Sequence, residues 1–198
     1  MLALASKSPA RSALLANAGL RFDIAPAEIE EREIERMALA DGASQRDVAL
    51  TLAAAKAVEV SRLRPVDTVI GADQTLEFSG SGLHKPADPR EARMQLLRLR
   101  GQTHSLHAAV SIARGSTILW SHVDTAHLTM RAFDEAELDH ILALEGAAVS
   151  DSVGGYRLEG PSVRLFERVE GDYFTILGLP LLPLLGALRD LAPDSLED

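Results

Sequence analysis

The chain has 198 residues, enough to bury a sizeable core, and its 46% hydrophobic and 25% charged content is that of an ordinary globular protein. A net charge of −9 and a pI near 5.1 argue against a general nucleic-acid or membrane-surface binder, which needs a basic face; an anionic small molecule would need a local basic pocket or a metal. The lack of cysteine removes disulfides, thiolate zinc sites and a cysteine nucleophile, and it fits a reducing, cytoplasmic setting.

The N-terminus, Met1-Leu-Ala-Leu-Ala-Ser-Lys7, starts apolar but has neither a basic n-region nor a long h-region. The most apolar segment, 176–188, is 13 residues long and broken by Pro180 and Pro183. A spanning helix needs about 20 apolar residues, so this is expected to be a core element.

Residues 2–5 read as a buried strand. Ser8-Pro9 then opens a helix, with Ser8 at the N-cap and Pro9 in the first turn. Leu14, Leu15 and Ala18 give that helix an apolar side, and Gly19 suits its C-terminal cap. Residues 21–25 predict a second strand. The acid-rich run 28–35 is expected to be a solvated helix face or loop for all but one or two of its acids. Ser44-Gln-Arg-Asp47 is a capping box before an alanine-rich helix to about 63, striped by Val48, Leu52 and Ala55, with Lys56 among them.

Two short strands, 68–72 and 75–78, are separated by Asp73 and followed by a Ser-Gly-Ser-Gly turn and His84-Lys85-Pro86. If the strands form a hairpin, Asp73 and Lys85 come close, as a plain ion pair or as holders of a metal and a phosphate. Asp88-Pro-Arg-Glu91 caps a helix that stops at Gly101, and strand-like runs cover 102–113 and 117–130. A helix from Asp134 to Gly146, a polar glycine-rich loop over 151–160, a strand at 163–169 and a short strand at 174–177 follow. A last helix begins near Leu179-Pro180, and the acidic tail 192–198 is expected to fray. Strands and helices mix without strict βαβ alternation, which predicts an α/β fold with a mixed β-sheet and surrounding helices. No linker or repeat divides the chain, so a single domain over 1–198 is expected.

Ser6-Lys-Ser-Pro-Ala-Arg11 joins a strand to a helix N-terminus, where backbone N–H groups and the helix dipole favour an anion. The chain has neither a P-loop nor a G-x-G-x-x-G fingerprint, and no G-x-S-x-G elbow or H-E-x-x-H pair. His104, His107, His122 and His127 lie on strand-like runs and read as surface or core histidines rather than ligands. These absences favour metal-plus-carboxylate chemistry over nucleophilic catalysis.

Ala5-Ser-Lys-Ser-Pro-Ala-Arg11 with Leu14-Leu15, Ile29-Glu-Glu31, Val69-Ile-Gly-Ala-Asp73, His84-Lys-Pro86, Gly154-Gly-Tyr-Arg-Leu-Glu-Gly160 and Gly178-Leu-Pro180 stand in one order from residue 2 to about 188. Together they resemble the Maf family of septum-formation-associated nucleoside triphosphate pyrophosphatases. The resemblance implies a Maf/inosine-triphosphatase-like fold with a deep nucleotide-binding cleft, usually a homodimer. It also implies a hydrolase acting on acid anhydrides, which cleaves a nucleoside triphosphate between the α- and β-phosphates in a house-cleaning role. By position, the catalytic carboxylate is Asp73. Ser6, Arg11, Glu31, Lys56, Lys85 and Glu159 would bind substrate, with Glu31 and Asp73 holding Mg²⁺ or Mn²⁺. No nucleic acid or membrane partner is implied.

Residue chemistry agrees with those assignments. A triphosphate carries about four negative charges, and phosphoryl transfer is mostly positioning and charge stabilisation. Arg11, Lys56 and Lys85 supply cations, and Glu31 and Asp73 supply hard oxygens. Asp73 suits either a general base or a metal ligand. One departure is Ala10, where many family members have the first of two arginines. Members acting on 7-methylguanosine triphosphate tend to lack that arginine and to have glutamate at the position of Glu159, where pyrimidine-triphosphate members tend to have glutamine. A guanine-type substrate is therefore expected, with dTTP or UTP hydrolysis as the alternative. A nucleotide-binding inhibitor of septum formation with little turnover, or a sugar-phosphate hydrolase, are the other readings to be tested.

Overall fold

A computed structural model describes residues 1–196. The strands are β1 (Leu2–Leu4), β2 (Phe22–Ile24), β3 (Thr68–Phe78), β4 (Ser81–Leu83), β5 (Thr103–Arg114), β6 (Thr117–Met130) and β7 (Phe166–Glu170). The helices are α1 (Pro9–Asn17), α2 (Glu31–Ala40), α3 (Gln45–Leu63), α4 (Pro89–Leu99), α5 (Glu135–Glu145), α6 (Tyr173–Ile176) and α7 (Leu181–Leu191). Among the described residues the strands form one seven-stranded sheet in the order β2-β1-β3-β5-β6-β7, with β4 on β3. The sheet is mixed: β1 runs parallel to β2 and β3, whereas β3/β4 and β6/β7 are antiparallel. The α/β expectation is met.

The chain forms two compact units, and β3, β5 and β6 contribute residues to both. The first unit comprises Met1–Gln74, His107–Asp124 and Asp172–Asp198. Its core is Leu2 and Leu4 of β1, Leu14 and Leu15 of α1, Ile70, Val110, Ile112, Leu184 and Leu188. These are the alternate or helically spaced apolar positions of their elements, and burying each stabilises by about 1.5–3 kcal/mol. The second unit comprises Thr75–Leu106 and Thr125–Gly171, and buries Leu76, Leu96, Leu99, Leu128, Met130, Leu138, Ile141 and Leu165.

Most local signals act as read. Ser8 caps α1, accepting from Arg11 N at 3.4 Å. Ser44 and Asp47 close a reciprocal capping box on α3. Asp88 and Asp134 cap α4 and α5. The chain leaves α1 through Gly19 at φ +82°, a left-handed position that favours glycine.

The acid-rich run contributes α2, which begins at Glu31 and leaves no residue fully buried, the solvated helix expected of it. Three expectations change. Residues 68–78 form one strand that runs through Asp73, because the main chain stays paired where the apolar pattern is interrupted. The segment 163–169 divides into a 3₁₀ turn, Pro161–Leu165, and the shorter β7. Residues 173–176 form helix α6 rather than a strand, since Asp172 caps it by accepting from Thr175 N at 2.9 Å. In the tail, Pro193–Leu196 make a 3₁₀ turn, and residues 197–198, part of the stretch expected to fray, lie outside the described residues.

Candidate active site

Helix α3 packs hard against β3, and Gly71 makes this possible. A Cβ built there would sit 2.2 Å from Ala53 O and 2.6 Å from Ala57 N, so any larger residue would push the helix away. Gly71, two residues before Asp73, therefore serves helix packing. The buried stripe of α3 is Val48, Ala49, Leu52, Ala53, Lys56, Ala57 and Val60, with Ala55 only partly covered. Lys56 is thus carried inward, onto the acid of β3.

Lys56 Nζ lies 2.6 Å from Asp73 Oδ1 and 2.9 Å from Glu31 Oε1. The Lys56 and Asp73 side chains are each 10% exposed, Glu31 53%, so the two carboxylates meet the ammonium from opposite sides of a burial gradient. Burial pushes the Asp73 carboxyl above its ordinary range, and the charges of Lys56 and Arg11 pull it back. An acid at a strand mouth would be incidental to the fold. Asp73 instead forms a buried ion pair, of the kind whose broken partner costs about 3–5 kcal/mol.

Arg11 enters from the first turn of α1 and is buried. Its Nε donates to Gly178 O at 2.8 Å, and its Nη1 donates to Ala72 O at 2.9 Å and to Ser6 Oγ at 3.2 Å. A guanidinium has five N–H donors, so the two on Nη2 remain for an anion. Burial works against the Arg11 charge, while Asp73 and Glu31 support it. Ser6 Oγ accepts from Arg11 and from Ser8 N at 3.2 Å, which fills both lone pairs and leaves its O–H to donate. The polar loop after β1 is therefore built from donors, as an anion site requires.

The first unit thus brings together Ser6, Arg11, Glu31, Lys56 and Asp73. Two further residues complete the surrounding shell. Gln74 Nε2 donates to Thr175 O at 3.1 Å and to Ile176 O at 3.0 Å, tying β3 to α6, and Gly178 presents its carbonyl to Arg11 from φ +91°. Gln74 carries no motif beyond its place beside Asp73; Gly178 opens the Gly178-Leu-Pro180 motif, but nothing local marks its carbonyl as the partner of Arg11.

No group of three or more histidine, cysteine, aspartate or glutamate side chains converges among the described residues. The pair Glu31 and Asp73 still fits a divalent ion, because both carboxylates reach one point and such an ion takes its remaining ligands from phosphate oxygens and water. At that point the chain places the Lys56 ammonium.

Lys85 and Glu159 belong to the second unit. Lys85 is exposed and stands two residues beyond β4. The hairpin expected between 68–72 and 75–78 does not form, since these are one strand; β3 instead pairs with β4 through Leu76–Leu83 and Phe78–Ser81. Glu159 is exposed in the glycine-rich loop. That loop is anchored by Tyr156, whose hydroxyl pairs with His104 Nε2 at 2.6 Å in a buried contact. Gly154 is packed on the Tyr156 ring, where a Cβ would come within 2.1 Å.

Of the other histidines, His127 pairs with Ser105, and His122 stacks on Trp120. Burial lowers the pKa of His104 to about 4. An unfolded chain protonates this ring near its ordinary value of 6.5, the folded one only near 4. The stability it contributes is therefore full above about 6.5 and is lost as pH falls toward 4. Across that interval we expect the wild type to lose roughly 2–4 kcal/mol more unfolding free energy than His104→Gln, whose amide still pairs with Tyr156 but does not titrate. Denaturant titrations of both proteins at the two ends of the range check this.

The fold and this cluster define an α/β protein with a donor-rich strand–loop–helix junction facing a buried lysine–carboxylate pair. The chain belongs to the Maf-like protein family, whose model matches residues 1–191. It is 50% identical over 188 residues to a Brucella abortus protein named 7-methyl-GTP pyrophosphatase, covering 95% of this chain and 94% of that one. A Rhizobium meliloti protein of the same name is 50% identical over 191 residues, 96% of each chain. A Rhodopseudomonas palustris protein named nucleoside triphosphate pyrophosphatase is 50% identical over 189 residues, 95% of this chain and 92% of that one.

Proposed function

We propose that the chain is a nucleoside triphosphate pyrophosphatase that releases a nucleoside monophosphate and pyrophosphate, with its residues acting as one catalytic domain. The observation that carries this reading is the buried meeting of Lys56 with Asp73 and Glu31 beside the Arg11–Ser6 donors. Ser6 O–H and Arg11 Nη2 hold phosphate oxygens and neutralise charge. Asp73 Oδ2 takes the proton of the water that attacks the α-phosphorus, as the bond to the bridging oxygen of the pyrophosphate breaks. Lys56 holds Asp73 Oδ1 and so fixes the orientation of the base. Glu31 and Asp73 would hold Mg²⁺ or Mn²⁺, which supplies Lewis-acid polarisation of the phosphates. On the family resemblance alone, Lys85 would serve the polyphosphate and Glu159 the base. A homodimer, on family resemblance, and a cytoplasmic setting, on the lack of cysteine, complete the reading; no helix among the described residues is long and apolar enough to cross a membrane.

The names of the relatives and the chemistry of Glu159 favour a guanine-type base, 7-methyl-GTP above all. Guanine offers two adjacent donors, N1–H and the 2-amino group, to a carboxylate that only accepts, and N7 methylation adds positive charge. Uracil and thymine would set an acceptor against Glu159 and leave it partly unpaired, at about 1–3 kcal/mol. We expect kcat/KM to fall from 7-methyl-GTP to GTP to UTP and dTTP, with Glu159→Gln narrowing the spread. Pyrophosphate release across that panel with Mg²⁺ or Mn²⁺ is the test. A preference for UTP or dTTP would overturn the base assignment, and tight binding without turnover would favour the inhibitor reading.

A further inference from the structure

The loop that carries Glu159 rests on a buried carboxylate with no part in the proposed chemistry. Glu145, the last residue of α5, has a fully buried side chain. Its Oε1 accepts from Ser162 N at 2.9 Å and from Ser162 Oγ at 2.8 Å. Its Oε2 accepts from Arg157 Nε at 3.0 Å and from Arg157 Nη2 at 2.9 Å. A carboxylate has about four acceptor positions, so its capacity is used in full. Gly160 lies directly over it, where a Cβ would be 2.6 Å from Oε1.

The partners are not scattered. Arg157 precedes Glu159 by two residues and Ser162 follows it by three, so one carboxylate grips both flanks of the segment that turns outward at Glu159. The N-terminal half of the loop is fixed separately, by Tyr156 on His104 and by Gln95 Nε2 donating to Val153 O at 2.6 Å. A hydrophobic side chain would fill the space under a surface loop at lower desolvation cost. What the charged clamp adds is one backbone conformation over 157–162, with Glu159 held exposed at its outer edge.

We propose that Glu145 is a positioning residue for base recognition: by clamping Arg157 and Ser162 it holds the Glu159 carboxylate ready for a base that presents two neighbouring N–H donors. This rests on the reading of Glu159 as the base contact. A carboxylate meeting two donors side by side is sensitive to placement, and a displacement on the order of 1 Å can cost about 100-fold. A pyrimidine, which cannot use both oxygens, is less affected.

Glu145→Gln keeps the size but turns an NH₂ group toward either Ser162 or Arg157, releasing one flank. The expected result is a KM for 7-methyl-GTP raised by about 10-fold or more, with kcat within about two-fold and KM for UTP nearly unchanged. Hydrogen exchange of the 157–162 amides should accelerate in the same variant. Glu145→Asp, which keeps the charge, should recover part of the loss. If Glu145→Gln proves too unstable to assay, Arg157→Ala removes one half of the clamp from a partly exposed position and should shift the KM ratio in the same direction. An unchanged ratio, or an equal loss of kcat for both nucleotides, would overturn the proposal even where Glu159→Gln alters base preference. Should Glu159→Gln itself leave base preference intact, the base reading fails and takes this role for Glu145 with it.

Discussion

Asp73→Asn lowers kcat by at least about 100-fold, the usual scale for losing a general base. The asparagine carbonyl can still accept from Lys56 at the place of Oδ1, so the local shape is kept. The group at the place of Oδ2 becomes an NH₂ that cannot take a proton. Stability moves much less. The substitution removes a charge whose burial is itself unfavourable, and Lys56 keeps Glu31 at 2.9 Å. The loss should therefore stay below the roughly 3–5 kcal/mol of a stranded buried charge. Steady-state kinetics and a thermal midpoint on the same preparation separate the two effects. Near-normal turnover would remove Asp73 from the mechanism.

Arg11→Ala is expected to damage both the fold and the substrate grip. It leaves Gly178 O and Ala72 O buried without their donor and removes a bond to Ser6 Oγ. Each unsatisfied buried acceptor costs about 1–3 kcal/mol, and in a chain of this length each kcal/mol lowers Tm by about 2–4 °C. On top of this, kcat/KM falls by roughly 10- to 100-fold, since a charge-assisted contact to phosphate is worth about 1.5–3 kcal/mol. Arg11→Lys restores the charge but can replace neither the fork nor all three braces, so recovery should be partial in both measurements. Full recovery by lysine would mean that Arg11 acts through charge alone. An unchanged Tm in the alanine variant would contradict the bracing geometry.

The contrast between these two residues shows what was legible in the chain by itself. Element types were readable from caps and apolar runs: Ser8-Pro9 before α1, the Ser44–Asp47 box before α3, and the long strand-like runs of β5 and β6. The Maf-like order of short motifs was readable too, and with it the identity of Ser6, Arg11, Glu31, Lys56 and Asp73 as candidates. Each of these signals is local, because a cap or a strand period is written within a few neighbouring residues.

Where local signals conflict with long-range pairing, sequence reading failed. Asp73 interrupts an apolar run, yet its main chain stays in β3 because hydrogen bonding to neighbouring strands does not depend on the side chain. Residues 174–177 look like a strand by composition, and the Asp172 cap draws 174–176 into α6. Only the tertiary structure decided how the candidates spend their hydrogen bonds. Arg11 commits three donors to carbonyls and a hydroxyl as far away as Gly178, Lys56 is turned inward because Gly71 lets α3 touch β3, and Glu145 closes on residues 12 and 17 positions downstream. Such partners are separated in sequence and joined by packing, and the energy of a buried charge depends on those partners rather than on its own residue type.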